Sequence, residues 1–428
     1  MGWIVLGMVI LLSALNVPIG FVLAIATIVV VALQGTTPLA AIPLMIFGGA
    51  SKFPLLAIPL FILAGGLMTT TGLSTRLIDL ASALVGFIRG GLAMMTIVAS
   101  MFFSEISGSA VADAAAIGQI VIPAMEKKGY PKAFSAGLVS NAATLAIIIP
   151  PSIPMIIYAA MADTSVVKLF VAGIVPGLIG GGMMMGLSYY FARKRNYPAE
   201  ASFSLAALWA ALKQGIWALL IPIVIWVGIF GGIATATEVG ALAALAAILI
   251  GLFVYRELTW RTFWKTLVDS TVQTAVIMLI VATSAVLGWY LTNEGVPQQL
   301  AQAMLGLTRN KYLILLLLNV AFFVAGCFLH SAAAIILIVP IVLPLIKQIG
   351  VDPIHFGLMV TVNLGVGQQT PPVATVLMTT CAIANLSMWE VFKTGFWYMM
   401  VLVVLTLLVT YVPVTGMGLV NLIYGAGG

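Results

Sequence analysis

Long apolar runs alternate with short polar interruptions along most of the chain. A helix needs about 20 mainly apolar residues to cross the hydrocarbon core of a bilayer. Runs near that length therefore predict membrane-spanning helices. They lie at about 53–71, 166–191, 216–231, 236–255, 271–290 and 394–412.

Other apolar stretches are too short, too interrupted or too charged to cross a membrane comfortably. Residues 3–33 contain a polar interruption at 16–20 and predict either one kinked span or two short helices. Four further stretches predict helices that lie along the membrane surface. They are found at about 37–51, 73–89, 200–214 and 297–308.

Two apolar passages differ from the spans because their polar residues lie in the middle rather than at the ends. The first, at about 90–128, has Ser107-Gly108-Ser109 at its centre, and the second, at about 311–348, has residues 326–330 there. Basic residues flank both ends of the first passage, which places both ends on the cytoplasmic side. Each passage predicts a re-entrant hairpin, whose tip must be buried in protein or face a water-filled cavity.

A helix interrupted by two consecutive prolines follows each hairpin. The first covers about 132–160 and contains Pro150-Pro151, and the second covers about 353–385 and contains Pro371-Pro372. Proline has no amide hydrogen and clashes with the preceding turn, so a helix cannot pass through either pair unbroken.

The two hairpins and the two broken helices are related by a shift of 221 residues. This shift places Pro150-Pro151 on Pro371-Pro372, and it places Ser109 at the first tip on His330 at the second. By span count, the second hairpin enters from the opposite side of the membrane. The sequence therefore predicts an all-α polytopic membrane protein with an inverted-topology repeat, typical of secondary transporters, whose site lies where the broken helices meet.

Composition supports this fold class. Of 428 residues, 62% are hydrophobic and only 7% are charged, whereas soluble proteins average about 25% charged residues. The net charge of +6 fits basic cytoplasmic loops better than nucleic-acid binding. The first residues run directly into an apolar segment, which predicts a retained helix rather than a cleaved signal peptide.

Several chemistries lack their motifs. The chain has no GxxxxGK[ST] loop, which argues against ATP hydrolysis, and no GxSxG or HExxH hydrolase motif. Cys327 and Cys381 lie in apolar surroundings and are expected to be buried thiols. No spacing of histidines, cysteines and acids predicts a metal centre of the transition-metal type.

The two repeats are instead rich in neutral oxygen ligands. Each proline pair frees backbone carbonyls, around 145–149 and 364–368, and Ser107, Ser109 and Thr370 add hydroxyl groups. Such ligands suit a hard monovalent cation, so the pattern predicts two Na⁺ sites. The alternative is that the small residues only allow close helix packing.

Ionisable residues at membrane depth are costly, and they are frequently functional. Asp113, beside the first tip, either tunes the ion site or holds the hairpin. For Glu105 and Glu238 a structural role is the favoured interpretation. His330, at the second tip, is the candidate to hold a substrate carboxylate or hydroxyl, with a packing role as the alternative.

These elements divide the chain into five predicted parts. Residues 1–72 form the first scaffold helices, 73–178 the first transport half, 179–292 the central scaffold with cytoplasmic surface helices, 293–390 the second transport half, and 391–428 the last span and a glycine-rich tail.

Five segments and Asp79 carry a family resemblance that covers essentially the whole chain. The segments are Phe-Pro-Leu-Leu-Ala-Ile-Pro at 53–59, Ser-Gly-Ser-Ala-Val-Ala-Asp at 107–113, Ile-Pro-Pro-Ser at 149–152, Gly-Cys-Phe-Leu-His-Ser at 326–331 and Thr-Pro-Pro at 370–372. Together they resemble the large membrane subunit, the DctM-like or M subunit, of tripartite ATP-independent periplasmic (TRAP) transporters.

The resemblance implies a Na⁺-driven importer of a small organic acid, either a carboxylate or a sugar acid, in a bacterial or archaeal cytoplasmic (inner) membrane. It implies an elevator-type transporter, in which a transport domain with both hairpins slides against a scaffold, without ATP. It also implies two partners. They are a separate four-helix small membrane subunit and an extracytoplasmic solute-binding protein that delivers the organic acid.

The resemblance also implies site residues. One Na⁺ site is formed by Ser107, Ser109, Ala146, Ile149 and Pro151, and the other by Gly326, Gly367, Thr370 and Val373, largely through backbone carbonyls. The substrate lies between the tips, near Ser109, Pro154, Asn293 and His330. Sialic-acid members of the family carry an arginine near the position of Asn293, so sialic acid is not expected.

Two rival functions stay open at this point. One is a secondary anion carrier that needs no binding protein. The other, a membrane-embedded enzyme or a channel, is disfavoured because the sequence offers no nucleophile–base constellation and because hairpins that enter from both sides do not make an open pore.

Overall fold

A computed structural model of the chain describes residues 2–15, 17–35, 38–197, 199–200 and 203–425. Parts of four predicted features lie outside these residues: Asn16 in the first interruption, Thr37 in the first surface helix, residues 201–202 and the tail at 426–428. The described chain contains twenty α-helices and no strand. The all-α fold class is therefore confirmed.

The first ten helices run from the N-terminus through the first hairpin and the first broken helix. They are α1 (Gly2–Ala14), α2 (Ile19–Gln34), α3 (Ala41–Ala50), α4 (Ala57–Thr70), α5 (Leu73–Val85), α6 (Gly91–Ser107), α7 (Ala110–Lys127), α8 (Lys132–Ala143), α9 (Ile153–Ala162) and α10 (Val166–Lys194). Short 3-10 helices precede α4 and follow α8, at Phe53–Leu56 and Thr144–Ile147.

The remaining ten helices contain the central scaffold and the second repeat. They are α11 (Leu205–Phe230), α12 (Ala236–Leu249), α13 (Trp260–Asn293), α14 (Val296–Leu307), α15 (Lys311–Phe328), α16 (Ser331–Gln348), α17 (Pro353–Gly367), α18 (Thr375–Ala384), α19 (Met388–Tyr411) and α20 (Val414–Tyr424). One π-helical turn, Ile250–Val254, extends α12.

Eight helices of the described chain are long and apolar enough to cross a membrane, and all six predicted spans fall within them. The other two are α15 and α16, the arms of the second hairpin. The apolar run at 3–33 forms two helices, α1 and α2, which pack against each other. Pro18 immediately precedes α2, where its fixed φ is tolerated.

The prediction of a separate surface helix at 200–214 is wrong. α11 runs without a break from Leu205 to Phe230, so the surface stretch and the following span are one helix. The Ser204 hydroxyl caps its start by accepting a hydrogen bond from the Ala207 amide at 3.3 Å. Lys213 is exposed, so its charge does not end the helix.

Both predicted hairpins are present. α6 and α7 pack as a pair joined at Gly108, and α15 and α16 pack as a pair joined at 329–330. Both broken helices are present as well, α8 with α9 and α17 with α18. The peptide bonds within Pro150-Pro151 and Pro371-Pro372 are both cis.

The two halves of the repeat exchange their packing surfaces. α9, from the first half, packs against α16 of the second hairpin, and α18, from the second half, packs against α7 of the first hairpin. The Tyr158 hydroxyl adds a hydrogen bond of 2.6 Å to the Pro353 carbonyl across this boundary. The hairpins and broken helices therefore form one interlocked unit.

A second group of helices packs around α13. This long helix contacts α2, α3 and α4, and α4 in turn packs against α12. α5 packs against α11, and Arg76 forms an ion pair of 2.8 Å with Glu257, in the segment before α13. These contacts define a scaffold beside the interlocked unit. The five-part division of the chain stays a prediction.

Two glycines set the distance between α8 and α19. A Cβ atom at residue 137 would lie 2.8 Å from the Gly395 Cα and 3.1 Å from the Val391 carbonyl oxygen. Both of these neighbours are backbone atoms, which cannot move aside as the end of a flexible side chain can. The first broken helix is therefore held directly against the backbone of α19.

We predict that Gly137→Ala destabilises the protein by roughly 1–3 kcal/mol, because the added methyl group overpacks this contact. The check is a lower thermal unfolding midpoint of the purified protein in detergent. Gly182→Ala is the matched control, since a Cβ there meets nothing within 4 Å and alanine favours a helix by up to about 1 kcal/mol. Equal midpoints for both variants would contradict the close α8–α19 contact.

Candidate functional site

The first hairpin tip docks onto the break of the first broken helix. The Ile153 amide donates a hydrogen bond of 3.2 Å to the Gly108 carbonyl. Gly108 has a φ of +60°, and a Cβ there would lie only 2.7 Å from the Pro151 carbonyl oxygen. Glycine is therefore required at the tip, both for its backbone conformation and for the close approach.

Hydroxyl groups and one acid surround this tip. The Ser107 hydroxyl donates a short hydrogen bond to the Asp113 carboxylate, and the Ser109 amide donates to the Ser107 hydroxyl at 3.2 Å. Asp113 is fully buried, and its second carboxylate oxygen has no hydrogen-bond partner in the described chain. The tip therefore holds a buried carboxylate oxygen that is available to a cation.

The break itself supplies carbonyl oxygens. Pro150 and Pro151 have no amide hydrogen, so the Ala146 and Ile147 carbonyls lose their usual helical donors. The Ser152 hydroxyl donates to the Ile147 carbonyl at 2.8 Å. The Ile149 amide donates to the Leu145 carbonyl and not to the Ala146 carbonyl. The Ala146 carbonyl keeps no helical donor and lies in the 3-10 helix that packs against α6.

The structure thus groups the residues predicted for the first cation site around one contact. Ser107 and Ser109 flank Gly108, which touches Pro151. Ala146 and Ile149 lie in the same break.

The second tip docks onto the second break in the same manner. The Val373 and Ala374 amides both donate to the Cys327 carbonyl, at 3.2 and 3.4 Å. Gly326 and Gly367 touch through their backbones, because a Cβ on Gly367 would lie 2.5 Å from the Gly326 Cα. The Thr370 amide donates to the Gly367 carbonyl at 2.9 Å. All four residues predicted for the second cation site therefore lie in one contact region.

A glutamine that sequence reasoning missed ties the two breaks together. Gln369 is buried, its side-chain oxygen accepts a short hydrogen bond from the Ser140 hydroxyl, and its amide nitrogen donates to the Thr144 hydroxyl at 2.6 Å. The signal was present in the sequence, because two adjacent glutamines one residue before a double proline are unusual in an apolar segment. Gln369 therefore links the second break to α8.

A small cavity of about 30 Å³ lies between the two tips. Three of the four predicted substrate residues line it: Ser109, Pro154 and His330. The scaffold contributes Ile277 of α13, and two polar residues that the sequence analysis missed, Ser331 and Gln368, also line it. No lysine or arginine of the described chain lines this cavity.

Asn293, the fourth predicted substrate residue, does not line this cavity. It is exposed at the C-terminal end of α13. Ile277 lines the cavity from the same helix, sixteen residues earlier, which corresponds to roughly 24 Å along the axis. The prediction placed Asn293 by the family position alone, and nothing local in the sequence reports how far along α13 the cavity lies.

Ser109 and His330 have the same structural role in their repeats. Ser109 is the N-cap of α7, where its hydroxyl accepts from the Ala112 amide at 3.4 Å. His330 is the N-cap of α16, where Nδ1 accepts from the Ala332 amide at 3.4 Å. Nδ1 as an acceptor leaves Nε2 as the protonated nitrogen of a neutral ring. The N-termini of α7 and α16 therefore both lie at the cavity.

A larger cavity of about 260 Å³, lined by both polar and apolar residues, adjoins the first tip. It separates the hairpin residues Ser109 and Asp113 from the scaffold residues Thr70, Asp269 and Gln273. Ser109 lines both cavities. Polar side chains of both the first hairpin and the scaffold therefore face this cavity.

The remaining acids have simpler surroundings. Glu238 is exposed and forms a capping box with Thr235, whose amide donates to the carboxylate at 2.7 Å. Glu105 is half-buried on α6, close to the tip. Within the described residues, no group of three or more histidines, cysteines and acids could hold a metal ion. Cys327 and Cys381 are both free and buried, as predicted.

Comparison with known proteins places these features in a family. Residues 6–415 match the family described as the tripartite ATP-independent periplasmic transporter, DctM component. The chain is 40% identical over 359 residues to the C4-dicarboxylate TRAP transporter large permease protein DctM of Pseudomonas aeruginosa, covering 84% of each protein.

A second relative is the isethionate TRAP transporter permease protein DctMQ of Oleidesulfovibrio alaskensis. It is 39% identical over 404 residues, which cover 94% of this chain and 64% of that relative. This chain therefore spans just under two thirds of the length of that relative.

Among solved structures, the Alcanivorax borkumensis YdaH transporter has a similar fold. Its TM-score is 0.62 with 13% sequence identity, over 87% of this chain and 88% of that one. The topology of that transporter is described as unusual.

The family match covers nearly the whole chain, and the relatives are about 40% identical to it. These findings confirm that the chain is a transporter permease of the inner membrane rather than an enzyme. This chain belongs to the family of the DctM component, the large permease, of the tripartite ATP-independent periplasmic transporters.

Proposed function

We propose that this permease imports a small organic acid together with Na⁺ by an elevator movement. An extracytoplasmic solute-binding protein delivers the acid, and a small membrane subunit completes the system. The observation that carries the proposal is the pair of hairpin tips. Each tip is docked on a proline-broken helix, and the two face each other across a cavity.

Na⁺ is supported by the kind of ligand at each tip. The first offers hydroxyl and carbonyl oxygens with the single buried acid Asp113, and the second offers carbonyl oxygens around Gly367 with the Thr370 hydroxyl. A set of mostly neutral oxygen ligands suits a monovalent cation better than a divalent one. The predicted sets are Ser107, Ser109, Ala146, Ile149 and Pro151 for one site, and Gly326, Gly367, Thr370 and Val373 for the other.

An organic anion is supported by the cavity between the tips. α7 and α16 begin there at Ser109 and His330, so the positive ends of two helix dipoles and their free amides favour a negative group. The relatives carry isethionate, C4-dicarboxylate and 2,3-diketo-L-gulonate in their names, and all three are oxygen-rich anions.

The elevator movement is supported by the contrast between two boundaries. Within the interlocked unit the halves are fixed by buried hydrogen bonds, such as those of Gln369. Between the first hairpin and the scaffold lies the cavity of about 260 Å³, and the scaffold contributes Ile277 to the cavity between the tips. A boundary that contains a cavity is less closely packed than the interlocked halves and therefore resists sliding less.

The partners are supported by the family itself. The family description names a tripartite system, and the name DctMQ of one relative joins two of its components. The matched part of that relative corresponds to this chain.

We predict that proteoliposomes holding this chain with its small subunit and binding protein take up an organic acid only when Na⁺ is present outside. Replacing Na⁺ with choline should abolish uptake, because choline is too large to be held by the carbonyl oxygens. The measurement is uptake of radiolabelled succinate and isethionate. Robust uptake by the chain alone would instead favour a carrier without a binding protein, and uptake driven by protons without Na⁺ would refute the ion assignment.

A second prediction concerns the backbone contact at the second tip. Gly367→Ala places a methyl group 2.5 Å from the Gly326 Cα and should separate the tip from the break. The half-saturating Na⁺ concentration for uptake is expected to rise by about tenfold or more. Gly306→Ala is the control, since a Cβ there meets nothing within 4 Å. An unchanged Na⁺ dependence in Gly367→Ala would exclude this contact from the ion site.

A third prediction concerns Asp113. Asp113→Asn keeps the shape of the side chain but removes its buried charge, so it should raise the half-saturating Na⁺ concentration by about tenfold. Asp163→Asn makes the same change at an exposed helix end and should leave it unaltered. Normal Na⁺ dependence in Asp113→Asn would assign the residue to holding the hairpin through Ser107.

A further inference from the structure

Two buried polar groups between the hairpin tips lack hydrogen-bond partners. Ser331 and Gln368 are each 1% exposed, and both line the cavity of about 30 Å³. Neither the Ser331 hydroxyl oxygen nor the Gln368 side-chain nitrogen makes a hydrogen bond in the described chain. A buried donor without an acceptor costs free energy, so folded proteins rarely keep one without a reason.

The neighbouring glutamine makes the contrast clear. Gln369 uses both its oxygen and its nitrogen in hydrogen bonds to Ser140 and Thr144, and so it serves the fold. The Gln368 side-chain oxygen accepts only from the Thr375 hydroxyl at 3.4 Å, which leaves the two N–H groups of the amide unused. Hydrogen bonds within the fold account for the Gln369 side chain, but they leave the Gln368 amide nitrogen unused.

Ser331 has a similar position on the other side of the cavity. It is the first residue of α16 and directly follows the N-cap His330. Its side chain is not needed for capping, because His330 already accepts from the Ala332 amide. The hydroxyl is therefore free to donate to a molecule in the cavity.

We propose that Ser331 and Gln368 donate hydrogen bonds to the oxyanion group, carboxylate or sulfonate, of the transported substrate. The inference rests on the proposed function of this cavity, and it adds the residues that select the cargo. The cavity has no cationic side chain in the described chain, so three neutral N–H and O–H donors and two helix N-termini hold the charge.

Neutral recognition has a consequence for substitution. A glutamate in place of Gln368 has nearly the same shape, but it replaces two donors with a negative charge that repels an anion. An aliphatic residue removes the donors without adding repulsion. The two kinds of variant therefore separate charge from hydrogen bonding.

The test measures entry of an anion into the cavity without requiring the natural substrate. In a Cys327→Ala, Cys381→Ala background, Ser331→Cys provides a thiol at the cavity wall. Its labelling rate in proteoliposomes is measured with the anionic sulfonatoethyl methanethiosulfonate and with the neutral methyl methanethiosulfonate. Adding Gln368→Glu should slow the anionic reagent by at least about tenfold and leave the neutral one unchanged. Gln302→Glu, at an exposed position, should change neither rate.

Equal slowing of both reagents by Gln368→Glu, no effect on either, or no labelling at position 331 at all would overturn the inference. In the complete three-part system, Gln368→Glu, Gln368→Leu and Ser331→Ala should each lower succinate or isethionate uptake at least fivefold, with Gln368→Glu the most severe. If the labelling result holds but the unmodified system transports no organic acid, the anion site stands and the proposed function fails. If uptake occurs but Gln368→Glu labels and transports normally, the function stands and this inference fails.

Discussion

A backbone group without a hydrogen-bond partner at membrane depth is the constraint on which this structure depends. Each double proline removes amide donors from the middle of a helix, where water is not available to replace them. The amides that follow each break also lack helical acceptors, and a hairpin tip supplies a carbonyl oxygen to them. Ile153 donates to the Gly108 carbonyl, and Val373 and Ala374 donate to the Cys327 carbonyl. Glycine at the tips, the hydroxyl caps and the short 3-10 helix follow from this requirement.

The same constraint explains why the halves are interlocked rather than merely adjacent. In each half, amides that follow the break donate hydrogen bonds to the hairpin tip of the same half. The second segment of the broken helix packs against the hairpin of the other half. Gln369 adds hydrogen bonds from the second break to α8 of the first half. Neither tip can shift far without the other, so the two proposed cation sites keep a fixed position relative to each other.

Local signals in the sequence were sufficient for much of this architecture. Apolar length predicted the spans, and proline pairs with central polar residues predicted the hairpins and broken helices, because these features depend on the backbone chemistry of a few neighbouring residues. Long-range geometry was not predictable in this way. The reciprocal packing of α9 and α18, the different roles of Gln368 and Gln369, and the distance of Asn293 from the cavity depend on contacts between residues far apart in the chain. The stretch before residue 215 was also misjudged, because nothing local in the sequence shows that it continues without a break into the following span as one helix, Leu205–Phe230.

Ser109 and His330 occupy the N-cap position of α7 and α16, which several residue types can fill. A helix N-cap needs only one acceptor atom, and serine, threonine, asparagine and aspartate all supply it, as the imidazole of His330 does here. Each of these residues keeps the hairpin folded while showing a different size, charge and donor pattern to whatever occupies the cavity. A substitution among these residue types at position 330 would therefore keep the cap of α16 while changing the chemical group at the cavity wall.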